Sequence, residues 1–319
     1  MKILLLGNAL LLFSLVSSCF STSSNNATPK SVESHASNSV NQQNGDELQK
    51  LIMQIASASR GKVGVMAIVL ETGKSVSLNP RDHFPMQSVY KLPIGMAVMN
   101  QVDEGKIRLD QKVRVTKDDF IGRSSHSPIR DKYPNGVELS VSDLLGWMLC
   151  ESDGTASDVL MKLVGGPASV QAYLTDLGIK ELIVLDTERA FANDHSLQYR
   201  NWSTPAAAVS LLRALNERRG LSDQSQGLLL KFMTESTPGA KRLKGLLPPG
   251  TVVAHKTGTS GTENGMTAAT NDIGIITLPN GRHLAIAVFV ADSPEDETTR
   301  EGVIARTARA IWDMASQAQ

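Results

Sequence analysis

The strand-like segments of this chain fall at its two ends, with a long helical stretch between them. Near the start, "KVGVMAIVLE" and "KSVSLNP" are separated by Thr72-Gly73, a hairpin signal. Near the end come "TVVAHKTGT", "ATNDIGIITLP" and "RHLAIAVFVADS", the last two joined across Pro279-Asn280-Gly281. Short turns join antiparallel neighbours, so the two ends are expected to meet in one antiparallel sheet. Helical periodicity flanks it, in "DELQKLIMQIASASR" from Asp46 and in "TTREGVIARTARAIWDMAS". Between them lie "KLPIGMAVMNQVDEG", "SVSDLLGWMLCESDG", "TASDVLMKLVGG", "PASVQAYLTDLG" and "TPAAAVSLLRALNE", all read as helical. The expected fold class is α/β plus all-α. An antiparallel sheet flanked by the N- and C-terminal helices takes 46–87 and 236–319, and an inserted helical domain takes 88–235. A cleft between two such units suits a small molecule.

The first segment stands outside this fold. "MKILLLGNALLLFSLVSSC" has a basic start at Lys2, an apolar run and small residues, which reads as a secretory signal too short for a spanning helix. Val16-Ser17-Ser18-Cys19 resembles a bacterial lipobox, whose cleavage leaves Cys19 as a lipid-anchored N-terminus; ordinary cleavage nearby is the alternative. Residues 20–45 are rich in Ser, Asn and Gln and are expected to form a flexible tether. Beyond the signal only Cys150 remains, so no intrachain disulfide is expected, and Cys150 reads as a small buried hydrophobe. Lys plus Arg and Asp plus Glu balance at 32 each, which gives no electrostatic reason to expect nucleic acid. No H-E-x-x-H, Cys/His ligand spacing, P-loop or G-x-G-x-x-G occurs, so neither metal nor cofactor is expected. A monomer is expected.

Four short motifs carry chemistry. "MQSVYKLPIG" sets Ser88 and Lys91 three apart at the start of an apolar run, where a helix would put a hydroxyl and an amine on one face. Such a pair can be a nucleophile and its base, or an exposed serine beside a solvated lysine. "ESDG" holds Ser152-Asp153, which also reads as a helix cap. "DTERAFAND" holds Glu188, which also reads as a solvated loop carboxylate. "HKTGTSG" holds Lys256-Thr257-Gly258, which also reads as a strand-end turn. Each alone is weak. Together, their order, spacing and context resemble the class A serine β-lactamases, across about Asp46 to Ser316. The tracts "VGGPASVQAYLTDLGIKE", "RLKGLLPPGTVVAHKTGTSG" and "TAATNDIGIITLPNGRHLAIAVFV" are most similar to the PER-type extended-spectrum branch.

The resemblance implies a β-lactam substrate opened through a serine acyl-enzyme. Ser88 attacks, and Lys91 serves as base, its basicity lowered by desolvation and by a second cation, Lys256. Ser152 relays a proton, since a hydroxyl both donates and accepts. Lys256 and Thr257, in the motif closed by Gly258, bind a substrate carboxylate. The N–H groups of Thr259 and Ser88 form the oxyanion pair. Glu188 activates the water that cleaves the ester. Whether Lys91 or Glu188 takes the first proton stays open. Arg242 in "KRLKG" is either a further carboxylate partner or an inert surface arginine.

The chain departs from the family pattern at four places. Gly154 replaces the Asn of S-D-N. The usual E-x-x-L-N runs Glu188-Arg189-Ala190-Phe191-Ala192, with Asn193 one step late. No Arg–Asp closure of the glutamate loop is visible, and Asp186 and Asn201 stand at its ends. His126 replaces a frequent aromatic at the cleft rim. A D-alanyl-D-alanine peptidase or transpeptidase, or a β-lactam-binding lipoprotein without turnover, would share the acylation residues. Glu188 favours hydrolysis.

Overall fold

The long strand segments are apolar at successive positions, so both faces of their sheet need cover. The computed structural model describes residues 32–123 and 125–317. The signal peptide 1–19 with Cys19, and the tether up to residue 31, lie outside the described residues. The main sheet runs Ser75–Leu78, Lys62–Val69, His283–Ser293, Met266–Thr277, Val253–Thr259, with every neighbour antiparallel. The two ends of the chain meet where Val65 faces Val288. Both hairpin turns use a glycine with positive φ, Gly73 at 73° and Gly281 at 80°, a conformation a side chain resists.

Alternate side chains of the strands serve two cores. Val63, Val65, Leu284, Ile286 and Val288 face one way and pack with Ile52 of the N-terminal helix and Ile304 and Ile311 of the final helix, Glu297–Gln317. Ala285, Ala287, Phe289, Ile273 and Ile275 face the other way and join the helical core. The centre of that core is the helix Lys91–Asp103, in which every residue from Lys91 to Met99 is buried. A helix apolar all round has to be enclosed, and Val141–Cys150, Gly154–Leu163, Pro167–Asp176 and Asp223–Thr234 contribute to the enclosing core. Helix starts are set locally: Ser140 and Asp143 form a reciprocal capping box, and Asp153 caps Gly154–Leu163.

Three sequence expectations change. The N-terminal helix is Val32–Ser57, starting ahead of Asp46, so the tether reading of 20–45 does not hold from Val32 on. Polar composition suggested a flexible segment, but residues 32–44 contain no Gly or Pro to interrupt a helix. The chain divides into Met1–Gln42 and a second unit, Gln43–Gln319, which carries the sheet and the helical core. Cys150 is half-buried rather than buried, its thiol pushed up to about 11 chiefly by burial, which leaves it unreactive. Arg242 is neither free in a cleft nor on the surface. It is 3% exposed and lies against the Val253–Thr259 strand, donating to Glu301 (3.0 Å), Asn271 O (3.0 Å), Gly258 O (3.3 Å) and Thr259 Oγ1 (2.9 Å).

Arg242 thereby pins the final helix to the strand that carries Lys256. Removing one partner of a buried pair leaves an uncompensated charge. Glu301→Ala is expected to lower the unfolding free energy by about 3 kcal/mol. Urea denaturation reads this, and an unchanged midpoint would strip the pair of its role.

Candidate active site

The segment that carries Ser88 is shaped by its neighbours before its helix begins. Phe84–Pro85 pairs with Trp202–Ser203, and Asn271 Nδ2 donates to Pro85 O (2.8 Å) and Met86 O (3.2 Å). Gln87 then takes a left-handed φ of 48°, and Ser88 follows inside one 3₁₀ turn, Gln87–Tyr90. Such backbone strain persists only where surroundings over-determine it. Gly258 supplies part of that surrounding: a Cβ there would lie 2.2 Å from Met86 O, so only glycine lets the K-T-G strand press this close. The sequence placed Ser88 and Lys91 on one helix face. They sit instead across the junction of a 3₁₀ turn and an α-helix, with the same result, Lys91 Nζ 2.9 Å from Ser88 Oγ.

Lys91 is the hub. Its side chain is 2% exposed, and its three N–H donors match three acceptors: Ser88 Oγ (2.9 Å), Ser152 O (2.7 Å) and Glu188 Oε1 (2.9 Å). Ser152, at a left-handed φ of 59°, gives its carbonyl to Lys91 while its hydroxyl accepts from Lys256 Nζ at 3.0 Å. Burial, and then the charge of Lys91, push the Lys256 amine well below the usual lysine range. Asp153 next door is fully buried and accepts from Ala156 N and Ile129 N, each at 2.7 Å, which fixes the turn bearing Ser152. Burial pushes its carboxyl up.

Glu188 opens a short helix, Glu188–Asn193, rather than sitting in irregular chain. Asp158 holds that start: its two carboxylate oxygens accept from Glu188 N (2.8 Å) and Arg189 N (3.0 Å). The sequence reading missed Asp158, because no spacing rule ties an aspartate of the Gly154–Leu163 helix to a glutamate on another element. The loop closure that had no visible Arg–Asp pair is made by Asn201. Its Oδ1 accepts from Leu185 N (2.7 Å) and Asp186 N (3.0 Å), its Nδ2 donates to Asp186 O (2.9 Å), and Arg200 pairs with Asp186 at 3.2 Å. Gln87, also missed, reaches across to Gln198 of the loop at 2.6 Å. The side chains of Ala192 and Asn193 lie outside the described residues.

These groups line one cleft of about 480 Å³, walled by Ser88, Lys91, Ser152, Glu188, Thr257 and Thr259. His126 stands at its rim, its Nε2 donating to Glu151 O at 2.9 Å. Arg242 is not among the lining residues and touches the cleft wall through the Thr259 hydroxyl. Among the described residues no cluster of His, Cys, Asp or Glu could hold a metal.

Residues 46–315 match the Beta-lactamase enzyme family. The extended-spectrum beta-lactamase PER-1 of Pseudomonas aeruginosa is 44% identical over 267 residues, covering 83% of this chain and 86% of that protein. Beta-lactamase VEB-1 of Pseudomonas aeruginosa is 40% identical over 270 residues, covering 84% and 90%. The solved structure of a beta-lactamase from Chitinophaga pinensis superposes with a TM-score of 0.82 at 47% identity, covering 84% of this chain and 99% of that one.

The Asp158 clasp carries a pH signature. Its carboxyl is pushed up to about 6, by burial first and then by the Glu188 charge, against the two N–H bonds that lower it. In the unfolded chain it would titrate near about 4. Between those values the native state binds more protons, so native stability falls as pH rises through the window and the penalty is complete above about 6. Asp158→Asn is expected to flatten this fall, by on the order of 3 kcal/mol across the window. It also faces an amide toward two N–H donors and so slows turnover. Unfolding free energies measured at stepped pH decide it; an identical slope in both proteins would refute the assignment.

Proposed function

Since this chain belongs to the beta-lactamase enzyme family, and within it to class A, we propose that Ser88, Lys91, Ser152, Glu188 and Lys256 are the groups that carry out its reaction. The protein hydrolyses the β-lactam amide bond, the reaction that gives antibiotic resistance. One observation carries the assignment of roles: a single amine, Lys91 Nζ, lies 2.9 Å from both Ser88 Oγ and Glu188 Oε1.

In our reading the resting ammonium of Lys91 first yields a proton to Glu188. The neutral amine then takes the proton of Ser88 as its oxygen bonds to the lactam carbonyl carbon. The N–H groups of Ser88 and Thr259 receive the oxyanion. The C–N bond breaks, and the ring nitrogen takes the proton of Ser152, which is bonded to the buried Lys256 amine and is reprotonated by the Lys91 ammonium; Glu188 then returns its proton to the neutral Lys91 amine and is again a carboxylate. Lys256 with Thr257 receives the substrate carboxylate, and Arg242 holds the Thr259 hydroxyl in place. In the second half, Glu188 removes a proton from a water that attacks the ester carbonyl. The Ser88 oxygen leaves with a proton returned through Lys91, and a free carboxylate is released. The halves 46–87 with 236–319 and 88–235 contribute opposite walls of the cleft.

The substrates in this reading are penicillins and cephalosporins, and the enzyme is an exported monomer held by lipid at Cys19. No helix among the described residues is long and apolar enough to cross a membrane. Cys19→Ser is expected to release the enzyme from the membrane fraction into the soluble periplasmic fraction; equal release of both forms would refute the anchor.

A chromogenic cephalosporin followed by mass spectrometry tests the chemistry. Ser88→Ala is expected to take up no acyl group. Glu188→Gln is expected to take up one and hold it, with steady turnover reduced by roughly a thousandfold or more. Undiminished turnover of Glu188→Gln would remove Glu188 from the mechanism. A stoichiometric burst without turnover in the unaltered protein would favour the peptidase reading.

A further inference from the structure

Lys91 holds the Glu188 carboxylate from one side, and a second group faces it from the interior. Among the described residues Tyr90 is the largest fully buried side chain. Its ring meets Phe191 edge-on at 6.0 Å, and Phe191 belongs to the short helix that Glu188 opens. Its hydroxyl is buried without a hydrogen-bond partner among the described residues, as is that of Ser157. Burying an unpartnered hydroxyl is costly, so its presence calls for a use. The charges acting on the phenol are the carboxylates of Glu188 and Asp158, and the Ser157 hydroxyl is its polar neighbour. Burial first, and then these two charges, hold its proton well above the usual tyrosine range. It is therefore a neutral donor throughout the working pH range.

Gly154 completes the arrangement. A Cβ there would lie 3.2 Å from Glu188 Cγ and 2.4 Å from Ile121 Cδ1, so the stem of Glu188 occupies space that a side chain at this position would need. The cations around the same carboxylate are Lys91 and Lys256.

We propose that Tyr90 is a positioning residue for Glu188: in the acyl-enzyme its buried hydroxyl donates to the carboxylate, a bond not made in the resting enzyme where Lys91 holds Glu188, and Gly154 supplies the room for the carboxylate to lie over it. The inference rests on the reading of Glu188 as the base that activates water. A donor of this kind keeps the carboxylate ionised and aimed at the ester in the acyl-enzyme. Acylation does not need it.

Tyr90→Phe keeps the ring and removes only the hydroxyl. With a chromogenic cephalosporin, rapid mixing should give an unchanged acylation burst. Both kcat and KM should fall roughly tenfold, the loss of one hydrogen bond to a charged group. The acidic limb of the kcat profile should move to higher pH, because Glu188 loses a donor to its ionised form. Gly154→Ala, which crowds the stem of Glu188, should slow the same step with acylation preserved. Equal losses in acylation and deacylation, or a kcat and acidic limb that do not move in Tyr90→Phe, would overturn the proposal. Glu188→Gln measured alongside separates the two failures. If it turns over normally the base reading itself falls; if it stalls while Tyr90→Phe is unaffected, only the Tyr90 inference falls.

Discussion

A buried ammonium is tolerated only where enough acceptors converge on it, and that demand of Lys91 organises the rest of the molecule. Its three partners come from separate elements: the 3₁₀ turn with Ser88, the turn before the Gly154–Leu163 helix, and the helix opened by Glu188. Each is fixed in turn by something else. Asn271 and Gly258 hold the first, Asp153 holds the second, and Asp158 with Asn201 holds the third. The apolar helix Lys91–Asp103, enclosed on all sides, is the stake to which the lysine is tied. Taking the acceptors away from Lys91 would leave an uncompensated charge in the core, which costs more than a surface contact is worth.

Much of this was legible in the sequence, for identifiable reasons. The strands were readable because their apolar residues alternate between two covered faces, and their turns because Gly73 and Gly281 sit where positive φ is needed. The helices of the middle third came from apolar periodicity and caps such as Ser140 and Asp153. Local rules reach only a few residues. They could not pair Asp158 with the backbone of Glu188, nor assign Asn271 to Met86 O, since those contacts join elements far apart in the chain. For the same reason Arg242 read as a surface or cleft residue, while its real partner, Glu301, lies in the final helix. The N-terminal segment erred the other way: a polar composition predicts weak burial, but burial and helicity are separate properties.

The departures from the family motifs become consistent once the contacts are known. Gly154 is not a missing side chain in an otherwise unchanged site, because Glu188 and Ile121 already fill the space beside it. The glutamate loop does not lack a closure; it uses one built from an amide and three backbone groups. Two left-handed residues, Gln87 and Ser152, both line the cleft; one immediately precedes Ser88 and the other carries the hydroxyl bonded to Lys256. The unusual residues and the strained backbone therefore gather within one region, where local regularity yields to geometry.

The amide clasp of Asn201 has an environmental corollary. A loop fastened by opposite charges loosens in brine and in acid, as counter-ions gather or carboxylates take up protons. A neutral fastener has no such sensitivity, and the accompanying Arg200 pair, half open to solvent, adds little holding power of its own. The segment that positions Glu188 is thus moored by bonds indifferent to the salinity around it.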